Sequence, residues 1–160
     1  MAYDTPEGRI KKRGRAICNN MCLYHFPVQQ GGTSTAGIPD DVLCVNGRFV
    51  HIEYKAEMLW TRTKKGYNTL PTARQCRQME LCRRAHGITL VIDKHNINYL
   101  ESDLSRIYTA VSNQIITLHC GWFWSITDYM DYREGGPITV NISPGTTIPH
   151  PVGTPLEILM

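Results

Sequence analysis

The sequence contains no window of about 18 apolar residues, so no segment reads as a membrane-spanning helix. Its first residues carry charge where a secretory leader needs an apolar run, and a soluble, cytoplasmic protein is expected. There is no Gly-x-Gly-x-x-Gly or Walker pattern. The run 30–37, which holds Gly31, Gly32 and Gly37, therefore reads as a flexible connector and not as a nucleotide cradle. The six cysteines, Cys18, Cys22, Cys44, Cys76, Cys82 and Cys120, include no Cys-x-x-Cys pair and no zinc-knuckle spacing. They are expected to be reduced, mostly buried, small apolar residues. What is left at 160 residues is one domain with a sizeable core and room for an appendage.

The charge that is present is unevenly placed. Residues 1–90 carry 14 Lys and Arg against 7 Asp and Glu, a balance of +7, whereas residues 91–160 carry 3 against 7, a balance of −4. A nucleic-acid partner requires a basic surface, because neutralising backbone phosphates and releasing their counterions supplies most non-specific affinity. Ordinary surface charge yields the same count, so the asymmetry takes its meaning from what else the basic half contains.

That half contains a hairpin. Asn46-Gly47 separates two runs rich in β-branched and aromatic residues, the strongest short-range hairpin signal. A two-residue turn pairs Val45 with Arg48, Cys44 with Phe49, Leu43 with Val50, Val42 with His51, Asp41 with Ile52 and Asp40 with Glu53. Lys55, two residues past Glu53, points to the same face of the sheet. Two facing carboxylates repel unless a cation lies between them. Joined by a backbone carbonyl and water, they suit a hard, oxygen-preferring ion such as Mg²⁺ or Mn²⁺. An acid-acid-lysine trio on a solvated face has the same sequence, and a register slip of one residue would separate the acids.

Pro39-Asp40, twelve residues, and then Glu53-Tyr54-Lys55 resembles the PD-(D/E)XK nuclease signature. Thr5-Pro6-Glu7-Gly8, Gly37-Ile38-Pro39-Asp40, Glu53-Tyr54-Lys55-Ala56 and Thr72-Ala73-Arg74-Gln75, in that order, resemble the VRR-NUC (virus-type replication-repair nuclease) branch, which includes stand-alone phage domains. The resemblance covers residues 5 to 95. It implies an α/β restriction-endonuclease-like fold with an αβββαβ core, and Mg²⁺-dependent hydrolysis of DNA, with Mn²⁺ able to substitute. The metal would be held by Asp40, Glu53 and the Tyr54 carbonyl, with Lys55 and Gln75 completing the catalytic set. Gln75 corresponds to the glutamine that such nucleases direct at the scissile phosphate or the attacking water. In the family a glutamate of the first helix also faces the metal; Glu7 has that place, and also the place of a carboxylate complementing the helix dipole. The activity implied is that of an endonuclease on structured or branched DNA in replication, recombination or repair. A homodimer would suit symmetric cutting. A non-cleaving nucleic-acid-binding module that retains the fold is the alternative.

The rest of the chain fills in around this core. Thr5 and Pro6 open a helix expected to run to about residue 25, with Lys11, Lys12 and Arg13 on its basic first half as DNA contacts. An opening strand follows at 24–29. Residues 56–68 form a basic loop in which Arg62, Lys64 and Lys65 can meet phosphates while Trp60 or Tyr67 stacks on a base or folds back on the domain. A second helix begins at Thr72, carries Arg74 as a further DNA contact, and ends before Gly87. The apolar run 88–92 is a buried strand after a crossover helix. A helix is expected at 97–112, and strands at 115–118 and 138–142. The nuclease-like domain is thus assigned to residues 1–112. Residues 113–160 are a C-terminal extension, packed on the core or used in self-association.

Overall fold

The computed structural model describes residues 5–29, 36–58, 70–123, 134–135 and 138–142. From residue 59 onward the expected basic loop, including Trp60, Arg62, Lys64, Lys65 and Tyr67, falls outside these residues, as do residues 143–160 of the C-terminal extension.

Helix α1 spans Pro6–Asn20. Thr5 caps it, its Oγ1 accepting the Gly8 N–H at 3.0 Å. The helix stops short of the expected residue 25. Cys22 adopts φ +55, the Met21 and Leu23 N–H groups bond back to the Ile17 and Cys18 carbonyls, and the chain turns at once into strand β1, Tyr24–Pro27. Strands β2, Asp41–Val45, and β3, Arg48–Tyr54, form the hairpin. Asn46 and Gly47 take φ +49 and +80, as a two-residue turn demands. The pairing from Val45–Arg48 out to Asp41–Ile52 is the one the turn predicts.

Helix α2, Ala73–Arg84, crosses to strand β4, Ile88–Ile92, which lies parallel to β3. The sheet order is β1-β2-β3-β4, with the first two pairings antiparallel. Taken with α1, this is the αβββαβ order.

Alternation along the strands gives the sheet two different faces. Leu43, Val45, Val50, Ile52, Tyr54, Leu90 and Ile92 face one way, into the main core with Cys18 of α1. A 3-10 turn at Ile97–Tyr99 and helix α3, Leu100–Thr109, add Ile97, Leu100, Leu104 and Ile107 to that core. On the other face Val91 packs with Cys76 and Met79 of α2 and with Leu70. Glu53, His51 and Asp40 belong to this second side, where α2 shelters only part of the sheet.

Strand β5, Ile115–Leu118, pairs antiparallel with β8, Ile138–Asn141. The short β6, Trp122–Phe123, pairs with β7, Glu134–Gly135. Ile116, Leu118, Cys120 and Ile142 enter the same core as the central sheet, so the described part of 113–160 is packed against the domain. The cysteines divide more evenly than expected: Cys18, Cys76 and Cys120 are buried, Cys82 is half-buried, and Cys22 and Cys44 are exposed. Among the described residues no helix is long and apolar enough to cross a membrane.

Candidate active site

The hairpin register places Asp40 just beyond the last β2 pair, where its N–H still bonds the Ile52 carbonyl at 3.1 Å. The Asp40 carboxylate reaches across to the end of β3, where Oδ2 accepts the Tyr54 N–H at 2.8 Å. A strand residue presents its N–H and C=O to the same edge, so the Tyr54 carbonyl lies on the side that Asp40 caps. Glu53, one residue earlier, projects from the sheet face under α2. Both acids are buried, at 5 % and 2 % exposure.

Gln75 organises the second half of the site. It is the third residue of α2 and completes a capping box: its N–H donates to Thr72 Oγ1 at 3.2 Å, and its Oε1 accepts the Thr72 N–H at 2.8 Å. The same Oε1 accepts from Lys55 Nζ at 3.0 Å, while Nε2 donates to Glu53 Oε1 at 2.5 Å. One amide therefore caps the helix and fixes Lys55 and Glu53 relative to each other; Lys55 Nζ lies 3.7 Å from Glu53 Oε1. The loop before Pro39 rests on this helix turn closely enough that a Cβ on Gly37 would come within 2.5 Å of the Arg74 carbonyl. A surface cleft of about 520 Å³ opens there between Gly37, Ile38, Thr72 and Gln75. A separate cleft of about 360 Å³, lined by Arg48, Arg83 and Ile138 among others, lies at the hairpin-turn end of the sheet, away from the acids.

Two features bear on whether the acids suit a metal. Glu53 Oε2 is buried and has no hydrogen-bond partner, an arrangement that costs about 1–3 kcal/mol or more for a charged group. Burial first, and the neighbouring Asp40 charge second, push the Glu53 carboxyl up to about 8. An unpaired, reluctantly ionised carboxylate beside a second acid and a backbone carbonyl is an all-oxygen donor set short of one cation. Among the described residues there is no group of three His, Cys, Asp or Glu side chains arranged to hold an ion, so the donors would be two carboxylates and a carbonyl.

Glu7 and Lys11 are tied into this cluster. Lys11 Nζ lies 3.0 Å from Glu7 Oε1 and 2.9 Å from Asp40 Oδ1. Burial alone would lower the Lys11 ammonium's pKa, but the bonds and charges of Asp40 and Glu7 outweigh it and hold it above the usual lysine range. Lys11, expected on a DNA-facing surface, is therefore engaged by site acids. Lys12 and Arg74 are exposed. Arg13 is exposed too, with its guanidinium donating to Asn98 Oδ1.

Sequence reasoning missed what lies beneath the acids. Asp41, fully buried on the opposite face, receives Arg15 through Nη2 at 2.8 Å and Nε at 3.1 Å, His25 Nε2 at 3.1 Å and the Tyr54 hydroxyl at 3.1 Å. This network joins α1, β1, β2 and β3 directly under Asp40 and Glu53. Asp93 does similar work behind Lys55: its Oδ2 accepts the Met58 N–H at 2.8 Å, and its Oδ1 accepts from His95 N at 2.9 Å. Glu57 is turned away, toward Lys94 and His95 at 2.9 Å each. The Asp40-Asp41 dipeptide was the available signal, since neighbouring strand residues face opposite sides and only one of the two can serve the surface site.

The fold and site together define an α/β domain with an αβββαβ core and an acid-acid-lysine-glutamine constellation at the open end of its hairpin. No protein-family model matches the sequence, and no curated protein matches it. Among solved structures the chain is similar to one described as a VRR_NUC domain, at 22% identity and a TM-score of 0.47, covering 61% of this chain and 96% of that one.

Proposed function

We propose that this protein is a metal-dependent nuclease that hydrolyses phosphodiester bonds in DNA. The observation that carries the reading is the buried Glu53 oxygen without a partner beside Asp40, with Gln75 bonded both to that carboxylate and to Lys55. A non-cleaving module has no need to keep so costly an arrangement.

In this reading Asp40, Glu53 and the Tyr54 carbonyl hold Mg²⁺, for which Mn²⁺ can substitute. When bound, the ion supplies an acidified water and neutralises charge on the phosphate. Lys55, held by Gln75, would exchange a proton with the attacking water or offset negative charge at the phosphate. Gln75 can hold a phosphate oxygen or a water without competing for the cation. Lys12, Arg13 and Arg74, with Arg62, Lys64 and Lys65 beyond the described residues, would carry the flanking phosphates. The substrate class proposed is structured or branched DNA cut endonucleolytically, with two copies of the chain supplying paired sites where symmetric cutting is required.

The test is a panel of labelled linear, nicked, flapped and four-way DNAs, incubated with Mg²⁺, with Mn²⁺ and with chelator, alongside a sizing measurement. Metal-dependent cleavage, strongest on a branched member, is expected. DNA binding without cleavage under any divalent ion would favour the binding-module reading.

A further inference from the structure

We propose that the Lys11 ammonium stands where a second metal ion would bind, so that the site takes up a single divalent ion; this rests on the nuclease reading above. Lys11 lies one helical turn after Glu7 and reaches both Glu7 Oε1 and Asp40 Oδ1 at hydrogen-bond distance. In two-ion sites a shared carboxylate bridges cations on either side of it. Here one side of Asp40 is held by an ammonium belonging to the chain, and Asp40 Oδ2 is held by the Tyr54 N–H. On Glu53, Gln75 holds Oε1, and Oε2 is unpartnered. What remains free is Glu53 Oε2 and the second lone pair of Asp40 Oδ2, a donor pair for one ion shared between the two acids.

Charge balance leads to the same place. With Glu53 ionised, three carboxylates (Glu7, Asp40, Glu53) face two ammonium groups (Lys11, Lys55), leaving one negative charge. A single divalent ion and one strand phosphate bring the cluster to neutrality. A second ion would leave it strongly positive, where Asp40 and Glu53 are nine-tenths buried or more and excess charge is poorly screened. A tethered ammonium also differs from an ion in consequence: it cannot be chelated or exchanged, and it keeps Asp40 oriented before metal arrives.

The experiment counts Mn²⁺ bound per chain by the full-length protein, from the free-ion electron paramagnetic resonance signal at equilibrium, with thermal melting confirming that each variant is folded. Wild type is expected to saturate with a single ion. Lys11→Met is expected to take up a second, and Lys11→Arg, which keeps the charge, to remain at one. Two ions on wild type, a single ion on folded Lys11→Met, or a second ion on Lys11→Arg would overturn the proposal while leaving the metal reading intact. No Mn²⁺ on wild type would overturn the nuclease reading together with it.

Discussion

Glu53 is the residue on which opposite demands meet. Burial and the adjacent Asp40 hold its carboxyl up to about 8, while a role as metal ligand needs the ionised form. In the metal-free folded protein Glu53 therefore keeps its proton at pH values where the unfolded chain has released it, near the ordinary carboxylate range. Between those values the folded state binds the extra proton, so stability falls as pH rises and this contribution is gone above about pH 8. His51, on the same strand face, has the opposite slope: burial first, and Arg83 second, lower it to about 4, so it weakens the fold on acidification. His51 is common to wild type and Glu53→Gln, so comparing the two isolates the carboxylate. In chelator, the melting temperature of Glu53→Gln relative to wild type is expected to rise from pH 5 to about pH 8 and then level off; parallel curves would contradict this. Added Ca²⁺ should close the gap at pH 9 by stabilising wild type alone.

Among the elements, α1 and the hairpin must meet at one distance for the acids to converge. A Cβ on Gly14 would lie 2.5 Å from Tyr54 Cε1 and 2.6 Å from its hydroxyl. The ring cannot swing aside, being fully buried and bonded to Asp41. Gly14→Ala is therefore expected to cost about 1–3 kcal/mol through overpacking, read from chemical denaturation. Because α1 carries Glu7 and Lys11, it should also lower Mg²⁺-dependent cleavage beyond the stability loss. An unchanged midpoint and rate would mean that the helix has slack this packing denies. The elements also mark where the sequence was informative. Asn46-Gly47 dictated the register of the hairpin through the positive φ both residues accept, and with it the meeting of Asp40 and Glu53. Nothing comparable announced the end of α1, because a cysteine at φ +55 is not a recognisable stop signal. The basic run 9–15 shows its charge in the sequence but not its partners. Lys11 and Arg15 recur at helical spacing toward the sheet, where buried acids receive them, while Lys12 and Arg13 are exposed.

For the whole molecule, the relevant quantity is the +7 balance of residues 1–90. Two of its cations, Lys11 and Arg15, are paired internally with Asp40 and Asp41; these pairs cancel and leave the balance unchanged, but the two side chains are not available to phosphates. DNA affinity, measured by anisotropy in chelator across a salt series, is expected to fall linearly in log–log form. Lys12→Ala and Arg74→Ala should each reduce the slope by about 1, whereas Lys11→Met should not. An effect of Lys11→Met as large as that of Lys12→Ala would return Lys11 to the DNA face. Of the strands of the C-terminal third, β5 and β8 were visible as apolar runs, and the two-residue β6 and β7 were not. The pairing of β5 with β8 was not visible either, since the two are joined through a long intervening segment and no turn signal fixes such a register.

The central claim is that Asp40 and Glu53 together hold the ion that cleavage requires. Its most direct test is Mg²⁺-dependent cleavage of a labelled DNA by wild type, Asp40→Asn and Glu53→Gln, with DNA binding measured in parallel. Both variants are expected to drop to the level of the chelated wild type while binding DNA about as tightly. Full cleavage by either would contradict the account.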